Sequence, residues 1–221
     1  MANILENHLP LRDKVYHIIR KAILERELKP GKRLTEMEIS NKYGISRTPI
    51  REAFRKLESE GFLTIVPRKG AIVTDLNEQT VLEFYQIKGA LEALAGRLAL
   101  KNFTEEDIKE LEELNNKLKS FEKEDNTSLE DFNKIHNQFH RKFIVLSKNK
   151  LLIEILDNLT KRYLRFRLMV EHTDFIDEVI AQHEEIIDAF KKNDEELVSK
   201  CIKKNAELGS ELIRKYYINK E

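Results

Sequence analysis

The sequence lacks a second cysteine, a long apolar run and any segment of low complexity. Its single cysteine, Cys201, cannot form a disulfide within the chain. No apolar run approaches the roughly 18 residues of a membrane-spanning helix, and no secretion signal is recognisable at the N-terminus. Gly/Ser-rich and Pro-rich linkers are absent, as are repeats of fixed period, which argues against a flexible tether or a solenoid. We therefore expect a soluble, cytoplasmic protein that does not bind a membrane and whose parts are joined closely.

Net charge is also absent, but the charges are distributed unevenly. Over 221 residues, 39 Lys and Arg balance 39 Asp and Glu. Residues 12–74 contain 15 basic and 8 acidic side chains, whereas residues 75–221 contain 24 and 30. A local excess of basic residues is typical of nucleic-acid binding, and a chain of this length suits two domains. We predict a basic domain over residues 1–76 and an acidic domain over residues 77–221.

Apolar residues before Gly61 follow the spacing of three amphipathic helices. The first ends at the run 28–31, which contains a proline and a glycine. The second begins at a capping box, Thr35-Glu36-Met37-Glu38, and stops at Gly44. The third has Ser46 as its N-cap and ends before Gly61. Two short helices around a glycine turn predict a helix-turn-helix.

A basic surface and a hairpin accompany these helices. Two β-branched runs, 62–66 and 71–74, flank the turn 67–70 and predict the β-hairpin wing of a winged helix. The outer face of the third helix and the hairpin tip carry cations and hydroxyls: Arg47, Thr48, Arg51, Arg55, Lys56, Arg68 and Lys69. Such side chains match a helix in the major groove of DNA and a tip that contacts phosphate or the minor groove. On an isolated helix these charges would indicate only a solvated face, but the order of the elements favours DNA binding.

Three segments carry a resemblance to a known family: Gly44-Ile45-Ser46-Arg47-Thr48-Pro49-Ile50-Arg51-Glu52-Ala53, Leu57-Glu58-Ser59-Glu60-Gly61-Phe62 and Pro67-Arg68-Lys69-Gly70. Together they resemble the GntR family of bacterial regulators, over residues 11–75. The resemblance implies six DNA-contacting residues: Ser46, Arg47, Thr48, Arg51, Lys69 and Gly70. The recognition helix would contact bases and phosphates, and Gly70 would let the wing backbone approach the minor groove. Some members also use an arginine in the second helix, where this chain has Met37.

The rest of the chain predicts helices alone, because it has no proline after residue 77 and only three glycines. Six amphipathic segments follow one another: 78–100, 105–122, 129–147, 150–171, 176–192 and 194–217. The predicted fold is therefore mainly α, with a winged helix-turn-helix followed by an all-helical bundle. Over residues 77–218 this bundle resembles the C-terminal FCD domain of the FadR subfamily, which implies a domain for effector binding and dimerisation.

Polar side chains interrupt the apolar stripes of three of these helices. His136 and His140 share a stripe with phenylalanines, while His183 and Asn205 lie among isoleucines and leucines. Buried imidazoles need partners, so we expect these side chains to face one another. The spacing of His136 and His140 lets both contact one ion, which makes the three histidines candidate metal ligands, with Asn205 as a candidate fourth.

The resemblance sharpens this metal prediction. Many members bind a divalent metal through an aspartate and a histidine four apart, a later histidine, and another histidine about 22 residues beyond. Here His140 and His183 match two ligands, His136 stands at the aspartate position and Asn205 at the last histidine position. Three histidines with an open position suit zinc or nickel.

A second interpretation of the cluster involves no metal. The same polar groups could hydrogen-bond an organic acid, which is the effector class common in the resembling family. Lys88, at a place where the family usually has arginine, and Arg162 and Arg165 are candidate cations for its carboxylate. Each of these three could equally be an ordinary surface or helix-pair charge.

The leading hypothesis is a homodimeric, sequence-specific transcriptional regulator, more specifically a repressor, whose affinity for operator DNA depends on a small effector. A rival is a helical metalloenzyme with an accessory basic domain, since His136 and His140 have the HxxxH spacing of a zinc protease. Asn137 stands where that chemistry requires a glutamate base, so we expect no enzyme. A purely structural DNA-binding protein would not need the polar cluster.

Overall fold

The computed structural model describes residues 9–25, 27–75, 77–121, 129–162 and 176–215. They form two compact units: residues up to 75, together with Lys161 and Arg162, make the first, and the other residues from 77 onward make the second. Over these ranges, no helix combines the length and the apolar character required to cross a membrane. The predicted fold class, mainly α with a small wing, is confirmed.

The first unit contains three helices and three short strands: α1 (Leu11–Leu24), β1 (Arg33–Leu34), α2 (Glu36–Tyr43), α3 (Arg47–Ser59), β2 (Leu63–Val66) and β3 (Gly70–Val73). The strands form an antiparallel sheet in the order β1-β3-β2, with Arg33 opposite Ile72 and Leu63 opposite Val73. The predicted helix-turn-helix and hairpin wing are thus confirmed. Strand β1 has no counterpart among the sequence predictions, because two residues are too few to show an alternating pattern.

Local signals set the ends of α2 and α3. The Thr35 hydroxyl accepts from the Glu38 N–H at 3.2 Å, and the Glu38 carboxylate accepts from the Thr35 N–H at 2.9 Å, which completes the predicted capping box. Gly44 ends α2 in the left-handed conformation, with φ of 65°. Ser46 lies at the N-cap of α3, but its side chain accepts no capping hydrogen bond from the described residues. Helix α1 ends at Leu24, earlier than the predicted stop.

One core holds α3 in place. Ile50 and Leu57 on one face of the helix are fully buried, and Arg51 and Arg55 on the other face are exposed. Helix α1 packs along the buried face of α3, and β2 packs next to it. Burial of one apolar face therefore turns the cationic face towards solvent.

All the regular elements described after residue 77 are helical: α4 (Glu78–Ala99), a 3₁₀ turn (Leu100–Asn102), α5 (Glu105–Ser120), α6 (Leu129–Leu146), α7 (Lys150–Arg162), α8 (Ile176–Lys191) and α9 (Glu195–Ile213). The expected all-helical bundle is confirmed, with bounds within a few residues of those predicted. The predicted segment 150–171 extends into residues 163–171, which lie outside the described ranges.

Five of these helices form a closed ring of neighbours. Helix α4 packs against α9, α9 against α8, α8 against α5, α5 against α6, and α6 against α4. The contact between α4 and α9 is close, since a Cβ at Gly96 would lie 2.4 Å from Cδ1 of Ile202. Fully buried Phe139 and Phe143 on α6 fill part of the interior. The ring therefore encloses side chains from all five helices.

We expect Gly70→Ala to destabilise the wing. Gly70 has φ of 96°, and a Cβ there would lie 2.3 Å from the backbone oxygen of Leu34 in β1. Backbone strain and this clash together should lower the free energy of unfolding by about 3 kcal/mol in urea denaturation. Gly31→Ala is the matched control, because Gly31 has φ of 77° with nothing within 4 Å of its Cβ position, and should cost about 1 kcal/mol. Equal losses in the two variants would contradict this account.

Candidate DNA interface and candidate metal centre

The six residues predicted to contact DNA lie along α3 and the wing. Ser46 precedes α3, Arg47 and Thr48 lie in its first turn, and Arg51 follows one turn later; all four are exposed. Lys69 is exposed at the wing tip, and Gly70 next to it is half-buried. The exposed side chains are therefore accessible to a large ligand.

A cleft of about 440 Å³ separates α3 from the wing. Its lining residues are Arg33, Thr35, Glu36, Arg51, Phe54, Arg55 and the segment 65–70. The structure thus brings Arg51, Lys69 and Gly70 to one cleft. Arg33 was not among the predicted contacts, and its Nε donates to the backbone oxygen of Lys69 at 2.5 Å, which joins β1 to the wing tip.

Glu36 on α2 holds the guanidinium group of Arg51. Nε of Arg51 donates to Oε1 at 2.9 Å and one terminal nitrogen donates to Oε2 at 2.9 Å. This two-point contact raises the pKa of Arg51 and lowers the pKa of Glu36. It uses only part of the five N–H donors of arginine, so the remaining donors can contact another acceptor.

The second unit brings the three predicted histidines together inside its ring. His136 and His140 lie on α6 and His183 lies on α8, with ring centroids 4.7 to 5.4 Å apart. One nitrogen from each ring lies within 4.8 Å of the other two. His183 is fully buried, His140 is 5% exposed and His136 is half-buried. Imidazole nitrogens at these separations can approach a single ion.

Two polar residues that the sequence interpretation missed contact these histidines. Oε2 of Glu92, on α4, lies 3.4 Å from Nδ1 of His140. On α5, Oδ1 of Asn115 lies 3.2 Å from Nδ1 of His183. The only signal for Glu92 in the sequence is its position four residues after Lys88, and the sequence around Asn115 contains no signal for it.

Lys88 is not a free cation. Its Nζ lies 2.6 Å from Oε2 of Glu92, and the two side chains are 9% and 3% exposed. Burial would raise the pKa of Glu92, but Lys88 and His140 more than compensate and hold that pKa below its ordinary value. The ammonium group predicted to bind an effector therefore neutralises a buried carboxylate in this structure.

Burial disfavours the charged form of His183. Burial, and then the nearby His140 and Lys88, hold its pKa well below the ordinary value. Its Nδ1 faces Asn115, while its buried Nε2 has no hydrogen-bond partner among the described residues. A buried ring nitrogen without a protein partner is suited to bind a metal ion, which would take up its lone pair.

The remaining predicted residues are Asn205, Arg162 and Arg165. Nδ2 of Asn205 donates to Oε1 of Gln182 at 3.3 Å, so its amide has a protein partner. Arg162 is the last residue of α7. Its side chain, and the whole of Arg165, lie outside the described part of the chain.

A winged helix-turn-helix joined to a helical bundle with an enclosed polar site defines a ligand-responsive, DNA-binding regulator. The family of bacterial regulatory proteins named gntR matches residues 11–73, and the FCD domain matches residues 83–207. The chain belongs to the GntR family of transcriptional regulators, and it has a C-terminal FCD domain for effector binding. The resemblance noted in the sequence is confirmed.

Individual relatives agree with this assignment. The uncharacterized HTH-type transcriptional regulator YdhC of Bacillus subtilis is 30% identical over 158 residues, which are 70% of this chain and 68% of that protein. The HTH-type transcriptional repressor RspR of Escherichia coli is 28% identical over 160 residues, 72% of this chain and 69% of that protein.

Solved structures share the fold. McbR/YncC of Escherichia coli superimposes with a TM-score of 0.65 at 24% identity, over 94% of this chain and 99% of that one. Lar of Listeria monocytogenes superimposes with a TM-score of 0.69 at 19% identity, over 95% and 99%. At these identities the likeness concerns the fold alone.

Lys88→Met should destabilise the second unit. Removal of the cation leaves the carboxylate of Glu92 buried without its main partner, which should lower the free energy of unfolding by about 3 kcal/mol. The double variant Lys88→Met/Glu92→Leu removes both charges and should recover most of the loss. Urea denaturation of the three proteins measures both effects. If Lys88→Met were as stable as wild type, Lys88 would not be neutralising the buried charge of Glu92.

Proposed function

We propose that the chain is a homodimeric repressor that binds operator DNA through residues 1–76 and binds a divalent metal and a carboxylic acid effector through residues 77–221. The observation that carries the DNA part is the cleft between α3 and the wing, to which Arg51 and Lys69 both contribute. The relative RspR is a transcriptional repressor by name, which supports the sign of regulation.

Exposed cations, together with an arginine that Glu36 holds in place, support DNA contacts by the recognition helix α3. Arg47 and Thr48 project from the first turn of α3, where a helix in the major groove contacts base edges. Arg51 is oriented by Glu36 and retains donors for a base or a phosphate. Ser46 and Lys69 suit phosphate contacts, because both are exposed and lie at the two edges of this surface.

Exposed apolar side chains in the second unit support homodimer formation. Ile87 and Leu94 on α4 are 51% and 39% exposed and lie two turns apart on one side of the helix. Leu151 and Ile155 on α7 are 66% and 43% exposed and lie one turn apart. Apolar faces of this kind are covered in symmetric dimers, and a two-fold dimer matches the two half-sites of a typical operator.

The metal would bind to His136, His140 and His183. The donor set is three imidazoles, which suits zinc or nickel better than magnesium or calcium. An ion held by three protein ligands keeps an open position and, when bound, attracts a carboxylate oxygen of an effector. Lys88, Arg162 and Arg165 remain proposed cations for that carboxylate, although Lys88 already neutralises Glu92.

The position of the histidines suggests how ligand binding could change DNA affinity. His136 and His140 belong to α6 and His183 belongs to α8, and these helices are not neighbours in the ring. An ion bound to all three therefore adds a second link between α6 and α8, beside the stack of Phe139 on His183. Regulation follows if the ligand binds one arrangement of the dimer better than the other.

Arg51→Ala should weaken operator binding by about tenfold or more, because it removes a contact of the recognition helix. A binding site obtained by selection from randomised duplexes provides the DNA, and affinities are measured at low salt. Arg12→Ala is the matched control, since Arg12 is an exposed arginine on α1 outside the cleft, and should bind with nearly wild-type affinity. Equal affinities of the Arg51 and Arg12 variants would refute the role of Arg51.

Protein purified without a histidine tag should contain metal, and chelation should lower its melting temperature by several degrees. Zinc at about one hundred times Kd stabilises a folded protein by about 3 kcal/mol. We expect His136→Ala to lose this response and His17→Ala, at an exposed position on α1, to keep it. No metal and no shift in wild type would mean that the cluster is a metal-free pocket, and small carboxylic acids would then be screened as effectors.

A further inference from the structure

We propose that Asn115 is a positioning residue of the metal centre: it fixes the tautomer of His183 that presents a bare Nε2 to the ion. The proposal rests on the metal-binding function proposed above. Asn115 lies on α5 and is 2% exposed, and it is not one of the three histidines that would bind the ion. Its role would be exerted entirely through His183.

The orientation of the Asn115 amide follows from its two contacts. Its Nδ2 lies 3.3 Å from the backbone oxygen of Ile180, and its Oδ1 lies 3.2 Å from Nδ1 of His183. An amide nitrogen can only donate and a carbonyl oxygen can only accept. Because the Ile180 oxygen requires a donor, the amide oxygen must face His183.

This orientation determines where His183 carries its proton. The oxygen of Asn115 accepts a hydrogen bond, so Nδ1 of His183 must be the protonated nitrogen. A neutral imidazole carries one N–H, and the contact with Asn115 places that N–H on Nδ1. Nε2 is then an unprotonated nitrogen with an available lone pair, which is the form that binds a metal.

The ring plane is fixed as well. His183 stacks on Phe139 of α6, with centroids 3.9 Å apart and planes 2° from parallel. The stack restricts rotation of the imidazole, and the hydrogen bond from Nδ1 selects which edge faces Asn115. Nε2 is left on the buried side, without a hydrogen-bond partner in the described ranges. Phe139 thus sets the plane of the ring and Asn115 sets its protonation.

Glu92 lies next to His140 in the same way that Asn115 lies next to His183. Its carboxylate lies 3.4 Å from Nδ1 of His140, and as a carboxylate it can only accept a hydrogen bond from that nitrogen. An acceptor behind each metal-binding imidazole is the general arrangement that orients histidine ligands. Asn115 gives the clearer test of the two, because Glu92 also neutralises Lys88.

The experiment compares four full-length proteins: wild type, Asn115→Leu, Asn115→Asp and Asn116→Leu. Nitrogen NMR of isotope-labelled histidine, in metal-free protein, distinguishes protonated from unprotonated ring nitrogens. Zinc affinity is measured by competition with a chromogenic chelator. Asn115→Leu removes the acceptor, Asn115→Asp retains one, and Asn116→Leu changes the exposed neighbouring asparagine.

In wild type we expect His183 to have a protonated Nδ1 and a bare Nε2. Asn115→Leu should shift protons to Nε2 and weaken zinc binding by about 10- to 100-fold. Asn115→Asp should keep the wild-type tautomer and bind zinc closer to wild type, whereas Asn116→Leu should change neither measurement. A purely structural role of Asn115 in packing would alter melting without moving the proton.

Two results would overturn the proposal. One is a wild-type spectrum with the proton on Nε2, which needs no variant and so holds even if Asn115→Leu fails to fold. The other is a folded Asn115→Leu variant that binds zinc as tightly as wild type. Wild-type protein that binds no zinc would refute the metal centre itself, a failure visible in the affinity measurement alone.

Discussion

The polar groups enclosed by the five-helix ring constrain the second unit more than any other feature. A buried polar atom without a partner costs roughly 1 to 3 kcal/mol, which favours arrangements that pair such groups with one another. Lys88 and Glu92 neutralise each other, and Asn115 shares a hydrogen bond with His183. Glu92 also contacts His140, so these polar contacts join α4 to α6 and α5 to α8 around the imidazoles. The close packing of α4 against α9 at Gly96 contributes apolar burial that offsets the cost of this polar interior.

The helices and their inward histidines could be predicted because both signals are local. An apolar period of 3.6 residues defines each helix, and a histidine within that period must point inward. The partners of the histidines could not be predicted in the same way. Asn115 precedes His183 by 68 residues and belongs to a helix that meets α8 only through folding. Glu92 looks in sequence like an ordinary partner of Lys88, and its approach to His140 depends on the packing of α4 against α6.

In the first unit, too, the local signals could be recognised in the sequence and the contacts between distant residues could not. A contiguous motif identifies Arg47, Thr48 and Arg51, and the turn at Gly44 fixes how α2 meets α3. Arg33 was not recognised because it lies in a strand of two residues, and Glu36 because its contact with Arg51 spans 15 residues between two helices. The residues that the resemblance predicts to contact DNA were therefore easier to find in the sequence than the residues that hold them in place.

The pairing of Arg51 with Glu36 affects how binding responds to ionic strength. DNA attracts a condensed layer of cations, and a protein cation that replaces one of them releases it to solution, which makes binding favourable at low salt. Exposed cations such as Lys69 also attract mobile anions, which DNA must displace. Arg51 already has a fixed carboxylate as its counterion, and salt weakens that pair as it weakens a contact with phosphate. In the proposed complex, where Arg51 contacts DNA with its remaining donors, Glu36 already balances its charge, so Arg51 should add less to the salt dependence than its charge alone would imply.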